Sequence, residues 1–247
     1  MGERLGPDGR LDRAAVPAVV NGNDEYALEA ALKLVEAHGG EVTLLSMAPA
    51  SAPETMRKAL AMGATSGTLV TDPALGGSCA VSTATVLAAA LKTLEFDLVL
   101  AGVDTSDGVA GVVGPAVAAL AGLPLLSYAA KIEPDEAART VRVRRISPTG
   151  YDILEAPMPA LITGTQALGE PRYPSLKGIM GARSKAIATL SLADLGLDGS
   201  TVGGAVATTK VVGSRQPPAR AATRVIRETP DEAARQVLAY LAERRLI

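Results

Sequence analysis

Residues 98–121 carry the pattern that most restricts the fold. The apolar run Leu98-Val99-Leu100-Ala101 ends at Gly102, and a polar turn with Asp104 and Asp107 follows. Small residues then lead into the helical pattern Val117-Ala118-Ala119-Leu120. Strand, glycine-rich turn and helix in that order make a βα unit, whose turn offers backbone N–H groups and the positive end of a helix to an anion. No Lys-Ser/Thr pair closes the turn and it lacks GxGxxG spacing, so neither common phosphate fingerprint applies. By itself the pattern fits a nucleotide-binding turn and a plain βα connection equally.

The same rhythm runs through the chain before it. Asn21-Gly22-Asn23-Asp24 opens a helix with Leu28, Ala31, Leu32 and Val35 on one face, and Gly39-Gly40 stops it. Residues 41–47 predict a buried strand. Ser51-Ala52-Pro53-Glu54 predicts a capping box and a helix through Met62, and Thr68-Leu69-Val70-Thr71 predicts a second strand. A long Ala/Leu helix over 80–94 precedes the third strand, 97–101. Strands separated by helices of this length predict βαβ units and a mostly parallel sheet.

After residue 123 the strand-like runs 125–132, 140–146 and 161–165 are joined by turns, which predicts added strands, some antiparallel. Glu170-Pro171-Arg172-Tyr173-Pro174 reads as stiff and extended, 191–212 as a loose excursion, and Gln216-Pro217-Pro218-Ala219-Arg220 as irregular. Thr229-Pro230-Asp231-Glu232 is a second capping box, opening a helix with Ala233, Val237, Leu238 and Leu241 on one face. The expected organisation is an α/β domain over 1–182 and a C-terminal arm over 183–247, ending in a helix that packs on a partner or on its own domain.

Composition excludes several chemistries. A formal charge of −2 gives no basic field for nucleic acid. His38, the single histidine, falls at a helix end, so neither a Ser-His-Asp triad nor a histidine metal site is available. Cys79 rules out an internal disulfide and reads as a buried, inert thiol. Asp104 and Asp107 suit turn, ribose or amide contacts better than a metal. The chain has no apolar stretch long enough to span a bilayer and no signal-like start, so a cytoplasmic protein is expected. With no catalytic constellation, the expectation is binding.

Four stretches carry a resemblance. Glu54-Thr55-Met56-Arg57-Lys58-Ala59-Leu60-Ala61-Met62-Gly63-Ala64, Asp107-Gly108-Val109, Pro159-Ala160-Leu161-Ile162-Thr163 and Glu170-Pro171-Arg172-Tyr173-Pro174-Ser175-Leu176-Lys177-Gly178-Ile179-Met180 recur in this order over nearly the whole chain. The sequence resembles the beta subunit of electron transfer flavoproteins, actinobacterial members above all. That resemblance implies an adenine-nucleotide-binding, doubly wound, mostly parallel α/β fold with a C-terminal arm around an alpha subunit. It implies an electron carrier rather than an enzyme, in a heterodimer that shares FAD with the alpha subunit. Electrons would pass from dehydrogenases, such as acyl-CoA dehydrogenases of fatty acid oxidation, to a membrane quinone oxidoreductase. AMP, or a second FAD in electron-bifurcating members, would occupy the beta subunit. By position the family's nucleotide residues fall on Asn21, Gly22, Asn23, Asp24, Met47, Gly102, Val103, Asp104, Thr105, Ser106, Asp107, Gly108, Val109, Ala110, Gly111, Val112 and Val113. Its docking residues fall on Tyr173, Leu176, Ile179 and Met180, with Leu176 either an exposed anchor or a leucine folded into the core.

Three departures matter. The family opens with a hydrophobic strand ending in Lys-x-Val-Pro-Asp, and this chain starts after it, so two strands are expected to lack a neighbour. The usual phosphate segment Asn-Gln-Thr-Gly reads Gly111-Val112-Val113-Gly114, which leaves only backbone donors and leaves AMP and FAD both open. The acidic turn before the late strand reads Ser147-Pro148-Thr149-Gly150. A single-chain ATP- or AMP-binding stress-type module is the alternative reading; it has no need of the arm or of the proline-bounded loop.

Overall fold

Apolar runs and amphipathic stretches alternate from residue 22 to residue 126, and each run becomes a strand covered by the helix beside it. A computed structural model describes residues 5–13, 15–215, 218, 223 and 225–247. In chain order the elements are α1 (Gly22–His38), β1 (Thr43–Met47), α2 (Pro53–Met62), β2 (Ser66–Val70), α3 (Ala80–Leu91), β3 (Leu98–Gly102) and α4 (Val113–Ala121). There follow β4 (Leu125–Asp135), β5 (Thr140–Ser147), β6 (Gly150–Pro157), β7 (Ala160–Gly164), α5 (Leu176–Ala182), β8 (Ile187–Leu190) and α6 (Pro230–Glu243). Residues up to Val212 form one compact unit; residues from Gly213 onward, with α6, form a second.

The first unit is a doubly wound α/β fold. Parallel pairing gives the order β1-β2-β8, and a second run β3-β7-β4-β5-β6 is parallel over β3-β7-β4 and antiparallel over β4-β5-β6. Side chains alternate along the strands. Leu98 and Leu100 join the cluster of Leu126, Val141, Val143 and Ile162, while Val99 faces the opposite cluster of Ala84, Leu91, Val117 and Leu161. On one face α1 and α2 bury Leu28, Leu32 and Leu60 against Leu44 and Ile187. On the other, α3 buries Val86 and Ala90 against Val70 and Leu45.

The two runs of strands stop at β1 and at β3, each with one edge that has no strand partner among the described residues. Leu45 of β1 and Val99 of β3 nonetheless pack on the same α3/α4 cluster, and α1 packs along β3. The two strands expected to lack a neighbour are therefore β1 and β3. The open edge also explains why β1 is half-buried where a buried strand was expected.

Other expectations change. The 191–212 stretch is no loose excursion: Leu192 and Val202 are buried with Val70, Leu75 and Val86, and the Ser82 hydroxyl accepts a hydrogen bond from the Gly203 N–H at 2.6 Å. Its contacts are long-range, so no local period announces them. Strand β6 was missed because both its faces carry mixed residues, although Pro148-Thr149-Gly150 is a hairpin signal. Neither capping box forms its side-chain bond. Helix α2 starts after Ala52, which has no acceptor side chain, and Thr229 precedes α6 without a capping bond. Of the irregular 216–220 stretch only Pro218 lies within the described residues. Helix α6 exposes Val237, Leu238 and Tyr240. No helix among the described residues is long and apolar enough to cross a membrane.

Candidate nucleotide-binding turn and apolar segment

Strand β3 delivers the turn to the start of α1, and the two fit closely. A Cβ on Gly102 would lie 2.7 Å from the Asn23 backbone carbon and 2.8 Å from the Asp24 nitrogen, so only glycine allows the approach. The half-buried Asp24 carboxylate accepts the Gly102 N–H at 2.7 Å and the Asn21 amide at 3.0 Å. Asn21 also donates to the Asp104 carbonyl at 2.8 Å and accepts the Ser106 N–H at 3.3 Å, and Asn23 donates to the Asp104 carboxylate. Asn21, Asn23, Asp24, Gly102, Asp104 and Ser106 thus come together, 80 residues apart in sequence, as one hydrogen-bonded unit. The side chains of Asn21, Asn23, Asp24 and Asp104 and the backbone N–H groups of Gly102 and Ser106 are engaged in building the turn.

What the turn leaves open is backbone. Val109 N–H donates to the Thr105 carbonyl at 2.8 Å, and the Thr105 hydroxyl accepts the Gly108 N–H at 3.2 Å. This holds Val109 at φ 43°, a left-handed conformation that disfavours a β-branched residue by about 1–2 kcal/mol. Among the described residues, the N–H groups of Ala110, Gly111, Val112, Val113 and Gly114 have no protein acceptor. The first turn of α4 carries no acidic residue to offset its positive end. Asp107 pairs with Arg13 at 3.7 Å, which brings the residues before α1 to the rim. Gly22 lies in the first turn of α1, and Val103 donates to the Gly164 carbonyl at 3.0 Å. Met47 stands outside the hydrogen-bonded unit, at the end of β1 and packed against the Val70 and Leu75 cluster.

The second predicted cluster is a surface. Tyr173, Leu176, Ile179 and Met180 are 97%, 75%, 49% and 68% exposed, a concentration of apolar side chains on the segment leading into and along α5. The Ser175 hydroxyl caps α5 by accepting the Gly178 N–H at 3.0 Å. Gly178 sits so close to the Ala61 carbonyl that no side chain fits there, which seats α5 on α2. The docking residues were expected on a proline-bounded loop; residues 176–180 and the two beyond instead form a short helix, Leu176–Ala182.

This arrangement is matched by known proteins. The electron transfer flavoprotein domain model matches residues 8–195. An electron transfer flavoprotein subunit beta of Clostridium acetobutylicum is 36% identical over 239 residues, covering 97% of this chain and 92% of the relative. One from Mycobacterium tuberculosis is 37% identical over 246 residues, covering 97% and 91%. The chain belongs to the electron transfer flavoprotein beta-subunit family. A further relative, the caffeyl-CoA reductase-Etf complex subunit CarD of Acetobacterium woodii, is 35% identical over 242 residues, covering 97% of this chain and 92% of its own. No group of three or more His, Cys, Asp or Glu side chains fit to hold a metal occurs among the described residues.

Cys79 is corrected by the structure. It is half-exposed where a buried thiol was expected, and it precedes α3 with Thr208 Oγ1 at 3.6 Å. The Ser82 backbone N–H, against a smaller opposing effect of burial, brings the thiol down to about 6 from an ordinary value of 9.0. The ionised form therefore contributes stability fully above pH 9 and loses it as pH falls through about 6. Iodoacetamide alkylation of Cys79 is expected to titrate with a midpoint near 6; a midpoint near 9 shows that the Ser82 N–H does not engage the thiolate.

Proposed function

We propose that this chain is the beta subunit of a heterodimer with an electron transfer flavoprotein alpha subunit, and that the turn 102–113 holds an adenine nucleotide. The observation that carries the nucleotide site is the run of unpartnered N–H groups over residues 110–114, at the carboxyl end of β3 and the positive end of α4. Those donors suit a phosphate without help from the amide and hydroxyl side chains of the usual family segment. Asn21, Asn23 and Asp24 act by rigidifying the turn, and Asp107 and Ser106 at its rim face the ribose. FAD, shared with the alpha subunit, supplies the electron-carrying chemistry when bound; this chain's residues orient the nucleotide and shield the flavin's side. The C-terminal residues, with the exposed face of α6, pack on the alpha subunit.

Tyr173, Leu176, Ile179 and Met180 dock dehydrogenases such as acyl-CoA dehydrogenases, whose electrons go on to a membrane quinone oxidoreductase. A small desolvated apolar anchor can carry much of a transient interface. Replacing Leu176 with Ala is expected to raise the apparent KM for a reduced acyl-CoA dehydrogenase about tenfold, roughly 1.4 kcal/mol, with flavin content unchanged. Lost flavin instead would make Leu176 a structural residue.

The decisive test is co-expression with an alpha subunit from the same genome, followed by extraction of the bound nucleotides. A yellow heterodimer with one FAD and one AMP is the expected result. Two FADs would favour a bifurcating subunit, a reading supported by the CarD relative and by the turn's reliance on backbone donors alone. A colourless monomer that binds ATP overturns the proposal.

A further inference from the structure

We infer that Arg172 is a positioning residue for the exposed apolar segment, holding it to α1 through two carboxylates; the consequence for partner docking rests on the function proposed above. Glu29 lies on the buried side of α1, and its side chain is only 5% exposed. A carboxylate taken from water to that extent requires a partner. Lys33, one turn along α1 and half-exposed, reaches Glu29 Oε1 at 3.4 Å. The closer partner comes from 143 residues away: Arg172 donates Nε to Glu29 at 2.7 Å, Nη2 to its other oxygen at 3.2 Å, and its backbone N–H at 3.2 Å. The same guanidinium reaches Glu36 two turns along α1, with Nη2 at 3.1 Å and Nη1 on the second oxygen. Both carboxylates are held below the usual range. For Glu36 the Arg172 hydrogen bond is the leading cause; for Glu29 burial opposes the shift, and the bonds and charge of Arg172 together with a smaller contribution from Lys33 outweigh it. Only a planar fork spans two carboxylates in this way.

The placement gives the clamp its meaning. Pro171 and Pro174 flank Arg172, and among the described residues 170–174 every hydrogen bond found is made by Arg172 to α1. The far end of the segment has its own anchor, since Arg57 Nη1 donates to the Ala182 carbonyl at 2.7 Å and Lys185 Nζ to the Leu60 carbonyl at 2.9 Å. Tyr173 and Leu176 hang between these two fixings, so the near one sets how much conformational freedom a partner must remove on binding.

The test uses the co-expressed heterodimer and three variants. Glu36→Gln removes one exposed half of the fork and leaves Glu29 paired. Arg172→Lys keeps the charge without the fork. The pair Arg172→Met with Glu29→Leu replaces a buried ion pair by apolar groups, which is often neutral for stability. Amide hydrogen exchange over residues 172–180 is expected to rise at least fivefold in the paired variant and in Arg172→Lys, and less in Glu36→Gln, with melting of the paired variant close to the parent. The apparent KM for reduced acyl-CoA dehydrogenase rises with it, kcat being unchanged. Unchanged exchange in all three variants overturns the inference. Faster exchange with an unchanged KM upholds the positioning role and removes the docking function from this segment instead.

Discussion

Replacing Gly102 with Ala is expected to lower stability by about 3 kcal/mol and to empty the proposed nucleotide site. The added Cβ would meet the Asn23 backbone carbon and Cβ at 2.7 Å and the Asp24 nitrogen at 2.8 Å. Overpacking typically costs about 1–3 kcal/mol, and the upper end applies where the obstacle is backbone rather than a movable side chain. To relieve the clash, α1 must back away from β3, which breaks the Asp24 bond to the Gly102 N–H and the Asn21 and Asn23 bonds to Asp104. For a chain of this size about 3 kcal/mol is roughly 6–12 °C in Tm. Gly22→Ala is the control, because a Cβ there meets nothing within 4 Å. Calorimetry with nucleotide extraction checks both; a Gly102→Ala protein with parental Tm and full nucleotide content would show that the turn is not fixed by α1.

The single variant Arg172→Met is expected to cost about 2–3 kcal/mol at pH 7, below the 3–5 kcal/mol of a fully enclosed pair because the guanidinium keeps 32% of its surface exposed. The cost should shrink in acid. In the parent the Glu29 pKa is lowered, so its contribution is complete above the ordinary carboxylate range and is lost only as pH falls through the depressed value. In the variant Glu29 keeps only the half-exposed Lys33, 3.4 Å away, so burial weighs more heavily, the Glu29 pKa rises from its lowered parental value, and the stability it contributes at pH 7 falls. The two denaturation curves therefore draw together as pH falls from 7 through the carboxylate range toward the depressed parental value. A difference independent of pH would mean that the lost Arg172–Glu29 contact is not the source of the cost.

Much of the first unit was legible in the chain. The βα stretch 98–121, the glycine stops and the Pro-bounded 170–174 stretch all mark local backbone preferences, and those elements form close to where they are expected. What was not legible rests on long-range pairing. Val202 and Leu192 are buried by α3 and β2 rather than by any period of their own. No local pattern marks Glu29 as buried, and its main partner, Arg172, lies 143 residues on. Cys79 gains its lowered pKa from the start of α3 and from Thr208, 129 residues on.

The turn proposed to hold the nucleotide divides the same way. Sequence alone determined that a strand ends at Gly102, that a helix carries Val117-Ala118-Ala119-Leu120, and that no side-chain fingerprint for phosphate lies between, because glycine placement and apolar spacing are local properties. Only the tertiary structure decided what Asn21, Asn23 and Asp24 do. Packing α1 against β3 turns their polar groups onto the turn, and hydrogen bonds that satisfy a half-buried turn are stronger claims on those groups than solvent. The backbone N–H groups of residues 110–114 are what that arrangement leaves free for a ligand.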